Sequence, residues 1–178
     1  GGGSAAKGEA KAPTAISGDI ATLAISISKG YSSGDPHEDN AVAAVTQGLS
    51  KAGYKVVEDS READLFARIN VSKEKQPSII QIQVGGKTLD TYKVSLTLSL
   101  SDRDSKEVAK ATGSYTSDDG APDEGAVAEM IDQLGTSKSL ASYATSTKQA
   151  RAEKAKEVEA QLAKEKEKKA REEAKAKI

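Results

Sequence analysis

The chain has 178 residues, of which 37% are apolar and 30% charged, and its aromatics are one Phe and five Tyr with no Trp. A core must therefore be assembled from Val, Ile, Leu and Ala, which leaves little material for a deep aromatic pocket. The net charge of −1 lacks the basic excess of a general nucleic-acid binder, and the absence of Cys excludes disulfides, thiolate metal sites and Cys nucleophiles.

Residues 1–18, GGGSAAKGEAKAPTAISG, carry no apolar period and read as a flexible tether. The Gly-Gly-Gly-Ser start fits a cloning scar. It fits equally the small polar stretch that follows the lipidated Cys of a bacterial lipoprotein. Residues 19–28 alternate, with Leu23, Ile25 and Ile27 on one side, and predict a half-buried strand. Residues 29–38 hold Gly, Ser and Pro and predict a loop. Over 38–52, Val42, Val45, Leu49 and Ala52 fall on one helical face, and Gly53 stands where a left-handed residue would end the helix. The strand Tyr54–Glu58 follows at once. Strand, helix, strand predicts a crossover unit in which the first two strands are parallel neighbours.

A polar link at 59–63 precedes an alternating strand, Asp64–Ser72, with Leu65, Ala67, Ile69 and Val71 on one face and Phe66 on the other. Residues 73–77 predict a turn and 78–84 a strand. Gly85-Gly86 is a two-residue hairpin signal. Lys87–Ser101 is the clearest strand: Val94, Leu96, Leu98 and Leu100 share one face, and Ser95, Thr97, Ser99 and Ser101 the other. After a turn at 102–106, residues 107–117 return as a weaker strand. Asp123–Leu134 predicts a helix with Val127, Met130, Ile131 and Leu134 on its apolar face, closed by Gly135.

Residues 137–177 read as helix almost throughout, about 60 Å if continuous. Leu140 and Tyr143 would dock the first part on the domain. Beyond Gln149 the large apolar residues are Val158, Leu162 and Ile178. The segment 151–178 holds ten Lys/Arg and seven Glu, a net +3, against a net −4 for the rest. Glu165–Lys169, Glu167–Arg171 and Glu173–Lys177 are i,i+4 pairs in the favourable order. Ala, Glu and Lys sustain a helix without a partner. The tail reads as a docking helix or coiled-coil arm, or as a solvated spacer; a coiled coil wants apolar positions over three or four heptads, and this one offers little beyond Val158 and Leu162. As a partner-binding surface, the residues singled out are Val158, Leu162, Lys164, Lys168 and Arg171. The tail lacks the apolar face of a membrane-surface helix, and its interleaved Glu argues against a nucleic-acid arm.

Chemistry-bearing motifs are scarce. His37, the one imidazole, lies in GDPHEDN beside Asp35, Glu38 and Asp39, without the fixed spacing of a metal site; a polar loop entering a helix N-terminus accounts for it. Neither DRDSKE nor SDDGAPDE matches a calcium loop. No G-x-S-x-G, Walker or G-x-G-x-x-G pattern occurs. The expectation is a protein that is not an enzyme, with no catalytic residues, no cofactor and no metal. No apolar run approaches the roughly 20 residues needed to span a bilayer.

The stretch Ala41–Ser72 combines an Ala-rich helix, Leu-x-x-x-Gly-Tyr leading into a strand, an acidic loop, and Ala-Asp-Leu opening the next strand. In this it resembles small bacterial periplasmic and outer-membrane lipoprotein domains: the curli-secretion lipoproteins, the lipoprotein activators of penicillin-binding proteins, and the amino-terminal domain of the Tol-system propeller protein. The likeness spans about residues 20–134 and provides no catalytic residue to carry over; the tail departs from it. It implies an exported, lipid-anchored accessory protein.

The expected architecture is α+β: a small, mostly antiparallel sheet with two helices on one face over residues 19–135, a tether before it, and an extended charged helix over 136–178. The expected role is a non-enzymatic cell-envelope accessory or scaffold protein. Its partners would be envelope proteins or further copies of itself, not nucleic acid, with membrane contact only through an N-terminal lipid anchor. The periplasm, at the outer membrane, is the expected location. The alternative is a cytoplasmic adaptor whose charged helix docks a partner.

Overall fold

A computed structural model describes residues 18–28, 34–77, 82–84, 87–118 and 120–177. The tether residues 1–17, residues 29–33 of the loop predicted over 29–38, residues 78–81 of the strand predicted over 78–84 and the hairpin glycines at 85–86 lie outside them. The fold is α+β. Among the described residues the strands are β1 (Ala24–Ile27), β2 (Lys55–Val57), β3 (Leu65–Lys75), β4 (Ile82–Val84), β5 (Lys87–Leu89), β6 (Tyr92–Ser101) and β7 (Glu107–Ser117). Three helices are α1 (Pro36–Ala52), α2 (Glu124–Gly135) and α3 (Lys138–Ala176).

Five strands form one sheet in the order β2-β1-β3-β6-β7, and β4-β5 form a separate pair. The short ladders β1–β2 and β1–β3 are parallel, whereas the long ladders β3–β6 and β6–β7 are antiparallel. The crossover through α1 thus makes the first two strands parallel neighbours, as the helix–Gly–strand order predicts.

The predicted strand at 19–28 is only half strand. Residues Gly18–Thr22 wind into a 3₁₀ turn. Local bonds replace ladder bonds there: the Thr22 hydroxyl donates to the Asp19 carbonyl at 2.6 Å, and the Leu23 N–H to the Ile20 carbonyl at 3.1 Å. Ile20 and Leu23, three apart, are both buried, so the 3₁₀ period serves the core as well as alternation would. In β1, Ala24, Ile25 and Ser26 are all buried, because a strand with neighbours on both sides is covered beyond one face.

Helix α1 begins two residues earlier than its apolar spacing implies. Asp35 is the N-cap, its carboxylate accepting from the His37 N–H at 3.0 Å, and Pro36 occupies the first turn where its missing N–H costs nothing. Gly53 ends it at φ 101°. The buried face runs through Ala41, Val45, Gly48, Leu49 and Ala52, while Val42 is half-buried. Gly48 decides that rotation: a Cβ there would lie 2.4 Å from Ile131 Cδ1, so the missing side chain lets α1 and α2 cross closely.

Strand β3 runs through Lys73–Lys75, where the sequence predicts a turn, because β6 supplies a ladder to its end (Lys75 opposite Tyr92). The predicted strand 87–101 breaks at Asp90–Thr91 for the matching reason. Before Tyr92 the chain has left β3 and pairs with β4 instead, Val84 opposite Lys87. The Gln76 N–H donates to the Thr91 carbonyl at 2.8 Å at that corner. Gly135 is the last residue of α2, not a left-handed cap; the Thr136 N–H closes the end on Asp132 and Leu134 carbonyls.

The apolar face of the sheet meets α1 and α2. Val94, Leu96, Leu98 and Leu100 are buried on β6, opposite Tyr115, Gly113, Ala111 and Ala109 of β7. Val127, Met130, Ile131 and Leu134 of α2 close over them. The other face carries Ser95, Thr97, Ser99, Thr112 and Ser114, with Phe66 under the Arg103 guanidinium at 6.0 Å.

Candidate functional site

Helix α3 has two parts. Ser137 caps it by accepting from the Leu140 N–H at 3.2 Å. Leu140 and Ala144 are fully buried and join the core. Around them polar contacts fix the first four turns. The Tyr143 hydroxyl donates to the Asp64 carbonyl at 3.0 Å, and the Ser139 hydroxyl to the Val108 carbonyl at 2.6 Å. The Thr145 hydroxyl and the Lys148 ammonium donate to the two oxygens of Asp19 at 3.3 and 3.0 Å. The Arg151 guanidinium meets one oxygen of Asp64, whose other oxygen accepts the Ala24 N–H at 2.8 Å.

The Lys148 hydrogen bond holds the Asp19 carboxyl below its usual range, against a small opposing effect of burial. Burial pushes the Tyr143 phenol up. Asp64 is the hub of this base. It joins β1 to the start of β3 through reciprocal bonds with Ala24, and both to the fourth turn of α3. Asp19 and Asp64 were not singled out by sequence reasoning. The signal available was the Ala-Asp pair immediately before a strand, Ala63-Asp64.

Beyond Arg151 every described residue of α3 is exposed. Val158 and Leu162 are 46% and 56% exposed, the large apolar side chains left outside the core among the described residues. Val158 lies about five helical turns beyond Leu140, and Leu162 the same distance beyond Ala144. The face that docks α3 on its own domain therefore continues past the domain as Val158 and Leu162, flanked by Glu159, Glu165, Lys166 and Lys169. Lys164, Lys168 and Arg171 point to roughly the opposite side, about 180–240° around the axis from Leu162. The five residues expected to form one partner surface are thus divided between an apolar face and a basic face. Of the three i,i+4 pairs expected, Glu167–Arg171 is closed at 3.1 Å.

The region around His37 is a structural corner. His37 is 7% exposed in the first turn of α1, its ring edge-on to Tyr92 with centroids 5.0 Å apart, and its Nδ1 has no hydrogen-bond partner among the described residues. Lys73 sits over the Tyr92 ring and pairs with Asp35 at 2.7 Å. That hydrogen bond holds the Asp35 carboxyl down and raises the Lys73 ammonium. Among the described residues no group of three or more His, Asp or Glu is placed to hold a metal. The acidic loops have local duties: Asp102 accepts from the Asp104 and Lys106 N–H groups, Asp123 caps α2, and Asp118 bonds Thr91. No helix among the described residues is long and apolar enough to cross a membrane.

No family model matches the chain, and no curated protein does. Among solved structures the chain is similar to a minor lipoprotein from Acinetobacter baumannii, at 14% identity over 69% of this chain and 94% of that one, with a TM-score of 0.33. It is also similar to a Xanthomonas campestris protein of DUF330, at 18% identity over 80% of this chain and 84% of that one, with a TM-score of 0.31. Neither likeness reaches the level at which a shared role follows.

Proposed function

We propose that the protein is a non-enzymatic accessory or scaffold protein of the bacterial cell envelope, which binds other proteins through the free part of α3. The observation that carries this reading is the construction of α3. Its base is locked to the domain by Leu140, Ala144, Asp19 and Asp64, while the whole of 152–177 is exposed on an unbroken helix. A spacer needs no such rigid foundation; an arm that presents a surface in a fixed direction does. Val158 and Leu162 supply the apolar contact, and the basic face of Lys164, Lys168 and Arg171 a second one.

The envelope location is supported by the tether composition and by the lipoprotein-like pattern in Ala41–Ser72. The helix with its fixed base would serve a cytoplasmic adaptor equally well, so location needs its own test. Membrane fractionation of the native protein, with mass spectrometry of its amino terminus, separates the two. A diacyl- or triacylglyceryl Cys ahead of Gly1 is the expected result. A soluble, unmodified protein would leave the cytoplasmic adaptor. Photo-crosslinking residues placed along 155–171 in cells test the arm itself. Adducts recurring at positions 155, 158 and 162 are expected; adducts confined to the sheet would remove the arm from the reading.

A further inference from the structure

Strand β7 is the last strand of the five, so one side of its backbone has no neighbouring strand among the described residues. In an antiparallel ladder alternate residues turn their N–H and C=O away from the partner strand. On the regular part of β7, beyond the bulge at Val108, the outward set is Lys110, Thr112, Ser114 and Thr116, and one side chain occupies its middle. The Thr112 N–H donates to Gln133 Oε1 at 3.0 Å, and Gln133 Nε2 donates to the Thr112 carbonyl at 2.9 Å. That is the donor–acceptor pair that a residue of an adjoining antiparallel strand would exchange with Thr112. Four residues down the strand, the Ser139 hydroxyl takes the Val108 carbonyl at 2.6 Å. Gln133 comes from α2 and Ser139 from α3, so the α2–α3 corner covers the edge at two points.

We propose that Gln133 is an edge guard: its amide stands in for a strand at the middle of β7 and closes this edge to a second copy of the chain. A second copy is the occupant that β7 fits best, because the strand is complementary to itself about Thr112. An antiparallel pair with a two-fold axis there sets Thr112 against Thr112 of the second copy and Lys110 against Ser114, within the regular part of the strand. Every outward residue would meet an outward residue, and no like charges would lie opposite each other. The bulge at Val108 and the Ser139 contact protect the start of the strand, but from Ala109 to Ser117 the edge carries one charged residue, Lys110, and little else against such pairing. Gln133 itself is exposed and contributes nothing to the core, so its conformation is explained by the edge and not by packing.

The test compares full-length variants by sedimentation velocity across a wide concentration range. Association through the arm would be common to all of them and cancels in the comparison. Gln133→Ala should add a concentration-dependent species of twice the wild-type mass. Thr112→Pro in the same chain should abolish it, since Pro removes the outward N–H while the inward ladder to β6 does not use it. An unchanged mass for a folded Gln133→Ala protein would overturn the proposal, as would a doubled mass that survives Thr112→Pro. Amide exchange in the wild type reads the guard without any variant. The Thr112 N–H should exchange much more slowly than the outward N–H groups of Lys110, Ser114 and Thr116; equal rates would overturn the proposal.

Discussion

At the scale of single residues, position on β6 decides the outcome of a substitution. Leu98 is fully buried against Ala111 and Ile69, whereas its neighbour Thr97 faces the polar side of the sheet. Leu98→Asp buries a carboxylate without a partner and should cost more than about 4 kcal/mol, enough to unfold the domain. Thr97→Asp should stay within about 1 kcal/mol, and circular dichroism distinguishes the two. The tyrosines divide in the same way. Tyr54 and Tyr115 bury hydroxyls that have no partner among the described residues, whereas the Tyr143 hydroxyl bonds the Asp64 carbonyl. Tyr54→Phe and Tyr115→Phe should therefore leave stability unchanged or raised, and Tyr143→Phe should lower it by about 0.5–1.5 kcal/mol. Burial, with a smaller contribution from the Asp132 carboxylate, pushes the Tyr54 phenol up to about 12. The stability linked to Tyr54 is thus complete below the unfolded value near 10 and is lost as pH rises through 12.

At the scale of elements, the latch between α3 and the 3₁₀ turn has a definite pH sign. The Asp19 carboxyl is held below 3.8 in the folded chain, chiefly by the Lys148 hydrogen bond. A depressed folded value means that the latch contributes above the unfolded value and fades as pH falls through the lower folded one. The melting-temperature difference between wild type and Lys148→Ala should accordingly be complete at neutral pH, begin to shrink near pH 3.8 and vanish once the pH has fallen through the depressed folded value. Carbon-13 NMR should find the Asp19 titration returned toward the ordinary range in Lys148→Ala. This latch was not legible in the chain. Asp19 and Lys148 are far apart in sequence, and nothing local marks an Asp in a turn as the partner of a distant Lys. Helix α2, by contrast, was legible almost to the residue, since Asp123 caps it and Val127, Met130, Ile131 and Leu134 lie on one face.

At the scale of the whole molecule, the arm and the domain should separate in their physical properties. A chain ending at Ala152 keeps Leu140, Ala144, Lys148 and Arg151 and so keeps every described contact between α3 and the domain. Its melting temperature should match that of the full chain. Small-angle scattering should show a maximum dimension shorter by about 38 Å, at a rise of 1.5 Å per residue over the part removed. A large loss of stability would show that the arm folds back on the domain. Val158 with Leu162, and Lys164 with Lys168 and Arg171, lie on roughly opposite sides of the exposed helix.

By itself the sequence determined whatever local physics dictates. Alternation made β6 a two-faced strand, the Ala-, Glu- and Lys-rich composition made α3 a helix, and Gly53 ended α1 in the left-handed region where other residues are strained. Tertiary structure decided what depends on a neighbour. The ladder with β6 drew Lys73–Lys75 into β3, and the end of that ladder broke the apparent strand at Asp90–Thr91. Contact with Ile131 turned α1 onto Gly48 in place of Val42. Asp19, Asp64 and Gln133 acquired their roles because the fold brought them to α3 and to the edge of β7. Periodicity reports which side of an element is apolar. It carries no information about which distant groups meet there, because those contacts are set by the packing of whole elements.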